Sequence, residues 1–396
     1  MNTITTHLQK YILHYFSHIK IKSHQSSPFF QTITEKIDDA ENLWTTTQHI
    51  PPTNLTDLKK GKYFDGIPND IQTYIVNLSN RKRYIGKCIT FSSIRIFLYY
   101  FLSDDDPPVE NINAAKINRY FNKCFHKIFL WFSVAQQYKL VGCSQDLDIY
   151  LYLTDLCKFI PENQNGDIQP SNANTGFTYA CNAPYGNKNE ICIFREEEWF
   201  KVLIHETVHS FGIDFSSSVK INDYANQRIT ALFGIPVVSQ GYSIFESYTE
   251  ICAEIMNLLF YQKIHKINDK KWKEHLYIEQ LFSCFQCAKV LNLPNKKGKD
   301  YKENTDIFSY YILKSILIYE IDDFLEWIMT PSGNAGSIVF KRTHENIKTY
   351  CDIIERGYLN PKYKQTIEKM DNWIKKNEHK KRFENQTLRM TVLEYS

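Results

Sequence analysis

Long apolar runs are missing from this 396-residue chain. The longest stretches, Ile94 to Leu102 and Ile316 to Tyr319, fall well short of the roughly 20 residues a helix needs to span a bilayer, so no membrane insertion is expected. A dominant charge sign is missing too. With 47 Lys and Arg against 44 Asp and Glu, the formal net charge is only +3, which gives no global argument for nucleic acid as a partner. The one basic stretch, Lys375 to Arg382, is interrupted by Glu378, is followed by Glu384 and has few interleaved aromatics; it reads as a solvated helix end. No repeat is visible, and no export signal: Met1 to Lys10 is polar, and the apolar stretch that follows is broken by His14, His18 and Lys20. Paired cysteines are scarce. Of ten, only Cys284 and Cys287 form a C-x-x-C, which lies in a helical pattern with no second pair and reads as core packing. Free thiols and no export signal point to a reducing, cytoplasmic compartment. What is present suits a globular protein: 43% hydrophobic and 15% aromatic residues can fill a substantial core.

Three regions follow one another. Residues 1–135 read as mainly helical, with amphipathic patterns over 7–21 and 112–132 and a break at Ser103–Pro108. Residues 136–260 read as a core: Leu147–Thr154 alternates apolar and polar, a polar loop Pro161–Asn174 follows, and Thr175–Ala180 and Asn189–Phe194 read as two more strands. Residues 261–396 read as mainly helical, with an exposed loop over Asn292–Thr305 and a break at Thr330–Asn334.

Directly after the third strand stands His205-Glu206-Thr207-Val208-His209. On a helix each residue turns by about 100°, so two histidines four apart lie only about 40° apart, on adjacent turns of one face. Two such imidazoles can bind one tetrahedral zinc ion, and Glu206 is placed to take a proton from a metal-bound water. Glu196, Glu197 and Glu198 put negative charge where a helix begins, and Gly212 offers a left-handed stop one turn past His209. The bland alternative is a buried helix with two hydrogen-bonded histidines.

A catalytic zinc normally takes three protein ligands. Asp214, just past the glycine, is the weaker candidate for the third, and its plainer reading is a loop or turn carboxylate. The stronger candidates lie on a second helix. Glu246, Glu250 and Glu254 repeat every four residues among apolar neighbours, so three carboxylates line one face of a largely buried helix and need partners. Glu246 reads as the ligand, with Glu250 orienting a ligand histidine; the reverse reading makes Glu250 the ligand with Glu254 behind it. Each has a plainer alternative: Glu246 in a capping box with Ser243, Glu250 paired with a lysine, Glu254 facing solvent.

His205, Glu206 and His209 followed by Glu246 and Glu250 resemble the gluzincin metallopeptidases, which carry H-E-x-x-H on one helix and E-x-x-x-[DE] on a later one. The wider string Lys201–Phe215 with Glu246–Glu250 also resembles zincin-like proteins of large DNA viruses, over roughly residues 145–260. The resemblance implies an α+β fold with a zincin-like catalytic core, a small twisted sheet beneath the motif helix, whose edge strand pairs with the substrate backbone; Thr175–Tyr179 is the candidate edge. It implies one Zn²⁺ ion, a polypeptide substrate, and peptide-bond hydrolysis with Glu206 as general base, as an endopeptidase, in the host cytoplasm or virion if the chain is viral. The competing expectations are a zincin-shaped scaffold that cleaves nothing and a deformylase-like amidase.

Overall fold

The computed structural model describes all residues except 1–2, 23–26, 48–50, 162–167, 182–186, 235–241, 298–303, 378–379, 381 and 395–396. In chain order the elements are α1 (Thr3–Phe16), α2 (Pro28–Thr46), β1 (Thr53–Leu55), α3 (Asn69–Asn80), β2 (Tyr84–Phe91), β3 (Ile94–Phe101) and α4 (Ala114–Ala135). Next come β4 (Asp146–Leu153), α5 (Pro170–Ala173), β5 (Gly176–Thr178), β6 (Lys188–Ile193), α6 (Trp199–Ser210), α7 (Val219–Phe233) and α8 (Phe245–Ile264). The rest is helical: α9 (Asp269–Lys297), α10 (Lys314–Tyr319), α11 (Ile321–Met329), α12 (His344–Leu359), α13 (Pro361–Asn377) and α14 (Phe383–Gln386), with a π-helical turn at Phe308–Leu313. No described helix is long and apolar enough to cross a membrane.

The chain divides into two compact units, neither a continuous stretch: one holds residues 33–157 and 174–213, the other residues 1–32, 158–173 and 214–396. The first contains an open, mixed six-stranded sheet in the order β1-β2-β3-β4-β6-β5. Strand β4 runs parallel to β3 and β6, while β1–β2, β2–β3 and β5–β6 are antiparallel. The hairpin β2–β3 lies within residues 1–135, which the sequence pattern assigns to helix for the most part. Its second strand is buried at Ile94, Ile96, Leu98, Tyr99 and Phe101, residues on both faces, so the period-two alternation that marks a half-buried strand is blurred. Helix α6 packs on β6 and β5. All twelve of its residues are buried, as expected of a helix enclosed on every side.

The second unit is helical. Helix α8 is buried from Glu246 to Tyr261. Among its neighbours, α9 packs against α8, α10 and α13. Cys284 and Cys287 of α9 are both 0% exposed, and burial pushes both thiols up, consistent with packing and not with a reactive pair. Helix α9 extends through part of the expected Asn292–Thr305 loop, and residues 298–303 of that loop lie outside the described ones. The basic stretch begins as the last turn of α13, with Lys375 and Lys376 exposed.

One expectation fails. Cys143 and Cys181 form a disulfide, with Cα atoms 5.3 Å apart. The chain therefore does not carry ten free thiols, and the thiol argument for a reducing compartment loses its premise.

Candidate metal centre

Helix α6 begins at Trp199, directly after the three glutamates. Glu198 occupies the cap position in the left-handed region, with φ 60°, and Glu197 and Glu198 are buried before the first turn. At the other end Gly212 has φ +67°, as its stop role requires, and a Cβ there would lie 2.9 Å from Cys143 Sγ and 3.2 Å from Cys181 Cβ. The disulfide thus abuts the helix stop. The Cys181 and Gly212 amides both donate to the His209 carbonyl, each at 3.0 Å, and the Leu140 amide donates to the Phe211 carbonyl at 3.1 Å. These bonds satisfy carbonyls that a helix end leaves without intrahelical partners. They fix the backbone immediately beyond the second histidine.

Lateral contacts hold the helix as well. The Trp131 indole N–H of α4 donates to Thr207 Oγ1 at 3.0 Å. Ser210 Oγ lies 2.7 Å from Ser144 Oγ and accepts from Asn189 Nδ2 at 3.0 Å, and Tyr63 O–H donates to Asn189 Oδ1 at 3.0 Å. Helix and sheet are tied by buried hydrogen bonds as well as by apolar packing. Sequence reasoning found none of these partners, because no spacing rule joins a serine at 144 to one at 210.

His205 and His209 do share one face. Their Nε2 atoms are 3.2 Å apart and their ring centroids 4.9 Å. A tetrahedral zinc with N–Zn bonds of about 2.0–2.1 Å needs its two nitrogens roughly 3.3 Å apart, so the pair is spaced for such an ion. Glu246 completes the set. Ligand atoms of His205, His209 and Glu246 all lie within 4.8 Å of one another, and all three residues are buried. Two imidazoles and one carboxylate are the donor set of a catalytic zinc site that keeps a fourth position for water. This buried group could hold a metal ion. Glu206, 6% exposed, stands between the histidines in sequence. Its charge is felt on β6, where burial, then the carboxylates of Glu190 and Glu206, push the Cys192 thiol well above its usual range.

The other acids are placed differently. Glu250, one turn beyond Glu246, is 1% exposed and is not part of the group of three. Glu254 is fully buried and does not face solvent; the Lys314 ammonium lies 3.6 Å from it. Asp214 serves its own loop. Its carboxylate accepts from the Ser216 amide at 2.9 Å, from Ser216 Oγ at 2.6 Å and from Thr249 Oγ1 at 3.3 Å. The capping position of α8 belongs to Ile244, which supplies no side-chain cap.

Strand β5 pairs with β6 and ends the sheet on that side. Fold and site together define a mixed α+β protein with a buried His-His-Glu group. Comparison with protein-family models, with curated proteins and with solved structures finds no match.

Proposed function

We propose that the protein is a zinc-dependent peptide hydrolase with a gluzincin-like centre. The convergence of Glu246 on the paired imidazoles of His205 and His209 carries this reading. The three residues would hold one Zn²⁺ ion. Bound there, zinc supplies Lewis acidity toward the scissile carbonyl and acidifies a water toward neutral pH.

Glu206 would do the proton work. It accepts the proton of the attacking water and passes it to the amide nitrogen of the leaving half. Burial of the site excludes bulk water and strengthens each electrostatic contact. An extended polypeptide would add its backbone to β5, whose three residues hydrogen-bond to a described strand only through β6. Glu250 would orient a ligand histidine through its second ring nitrogen.

The test is Glu206→Gln. It should keep one zinc per chain and lower the rate of peptide cleavage by about 10²–10⁴-fold. A variant as active as the native protein removes Glu206 as general base. A native protein that binds zinc yet cleaves nothing in a peptide library drawn from a whole proteome favours the scaffold alternative.

A further inference from the structure

Residues Thr387–Glu394 run without regular secondary structure through the helical unit. Leu388, Arg389, Val392 and Leu393 are 0% exposed, Thr391 1% and Met390 4%. A buried irregular segment usually fails because its backbone amides and carbonyls lose water without finding partners. Here side chains from the surrounding helices supply them one by one. Lys289 donates to the Thr387 carbonyl at 2.5 Å, Tyr311 to that of Leu388 at 2.6 Å, Gln286 to that of Arg389 at 2.6 Å and Lys314 to that of Met390 at 2.8 Å. Asn257 of α8 donates to the Leu393 carbonyl at 3.1 Å. Glu279 accepts from the Val392 amide at 2.9 Å and the Leu393 amide at 2.7 Å. At its start the segment pairs with residues 158–160: Leu388 N–H donates to the Lys158 carbonyl at 2.9 Å, and Ile160 N–H to the Gln386 carbonyl at 2.8 Å.

These six side chains are themselves buried, from 0% exposed for Glu279 to 3% for Lys289. Burying an acid, two lysines and two amides costs several kcal/mol unless each finds partners. Burial holds Lys289 well below the usual lysine range and Glu279 above the usual carboxylate range. Most of these contacts read backbone; the exception is Thr391 Oγ1, which donates to Glu279 Oε1 at 2.6 Å, while Arg389 pairs with Glu394 inside the segment. Reading backbone is how a receptor grips an extended peptide, with affinity from main-chain hydrogen bonds and apolar side chains seated between them.

We infer that α8, α9, the turn at Phe308–Leu313 and α10 form a binding channel for an extended polypeptide, and that residues 387–394 are its occupant in cis, exchangeable for the same sequence in trans. This site is independent of the metal reading.

The experiment cuts the full chain after it has folded. A protease recognition sequence is inserted after the exposed Lys380, and the nicked protein is incubated in dilute urea with excess fluorescein-labelled peptide of residues 383–396. The label should enter at one peptide per chain. A peptide carrying Val392→Pro, which removes an N–H given to Glu279, should compete about tenfold or more weakly. No entry of label into a nicked protein that keeps its helical circular dichroism overturns the inference. So does equal competition by a scrambled peptide. Should the nick unfold the chain, refolding that depends on the native peptide supports the channel, and refolding that ignores it overturns it.

Discussion

Of the three buried carboxylates of helix α8, Glu246 and Glu254 stand two turns and about 12 Å apart, and their surroundings differ in kind. Around Glu254 the protein supplies the counter-charge: Lys314 lies 3.6 Å away and also holds the Met390 carbonyl. Glu246 instead joins two imidazoles: ligand atoms of His205, His209 and Glu246 all lie within 4.8 Å of one another. A lysine and a glutamate close a charge balance permanently. Two imidazoles and a glutamate are a donor set that a divalent cation could bridge. One carboxylate therefore reads as part of the scaffold and the other as part of a site, although the sequence repeats them at the same spacing.

Lys314→Met breaks the scaffold side and should have the largest effect on stability. It leaves Glu254 buried without its cation, at a cost of about 3–5 kcal/mol. Chemical denaturation should show that loss with or without zinc. If Lys314→Met instead lowers zinc affinity while leaving stability alone, the division between the two carboxylates is wrong.

On the site side, Glu246→Ala should weaken zinc binding more than Glu250→Ala does. The second variant should cost the 10–100-fold typical of a residue that orients a ligand, and the first should exceed that range. Metal-competition titration reads both. The reverse ranking moves the ligand to Glu250 and merges the two regions into one acidic stripe.

Much of the site was legible because it obeys local periodicity. The H-E-x-x-H spacing places two imidazoles on one face whatever the rest of the chain does. The four-residue spacing of Glu246, Glu250 and Glu254 places three carboxylates on another. The alternation of Leu147–Thr154 and the apolar run Asn189–Phe194 correspond to β4 and β6. The rest depends on pairings that sequence distance hides. Cys143 meets Cys181 across 38 residues, and no C-x-x-C spacing marks them. Glu254 meets a lysine on α10, so it cannot be told from a solvent-facing glutamate by its own neighbours. The segment 387–394 has neither helical nor strand periodicity to report that helix side chains hold its backbone. Chain order also misleads about neighbours: residues 1–32 belong with 214–396, and the hairpin β2–β3 belongs with β4 and β6.

Lys289→Met sharpens the scaffold side through pH. Burial lowers the Lys289 pKa, with the Glu384 charge acting the other way. The folded chain therefore binds fewer protons than the unfolded chain between that lowered pKa and the ordinary lysine value of 10.5. Stability should rise with pH across that window and level off above it, with a slope of at most about 1.4 kcal/mol per pH unit for this one proton. The methionine variant should lose that slope, as measured by denaturation from neutral pH to about pH 10. An unchanged profile would mean that Lys289 titrates normally and that its burial is compensated by other means.

The smallest effect should come from Thr207→Val, on the histidine helix. Valine keeps the β-branch and nearly the volume, so packing on α6 is preserved. What it removes is the acceptor for the Trp131 indole N–H and a donor to the Leu203 carbonyl. The net value of such a hydrogen bond is about 1 kcal/mol, and leaving the buried indole N–H unpaired pushes the loss toward the upper end of about 1–3 kcal/mol. Thr207 points at α4 while His205 and His209 point at each other, so this loss should appear in thermal unfolding with zinc affinity changed by less than about threefold. A larger drop in zinc affinity would show that the helix shifts when Trp131 lets go. The spacing of the two imidazoles would then be set by packing against α4 as well as by the helix itself, and the site side of the comparison would extend into the scaffold.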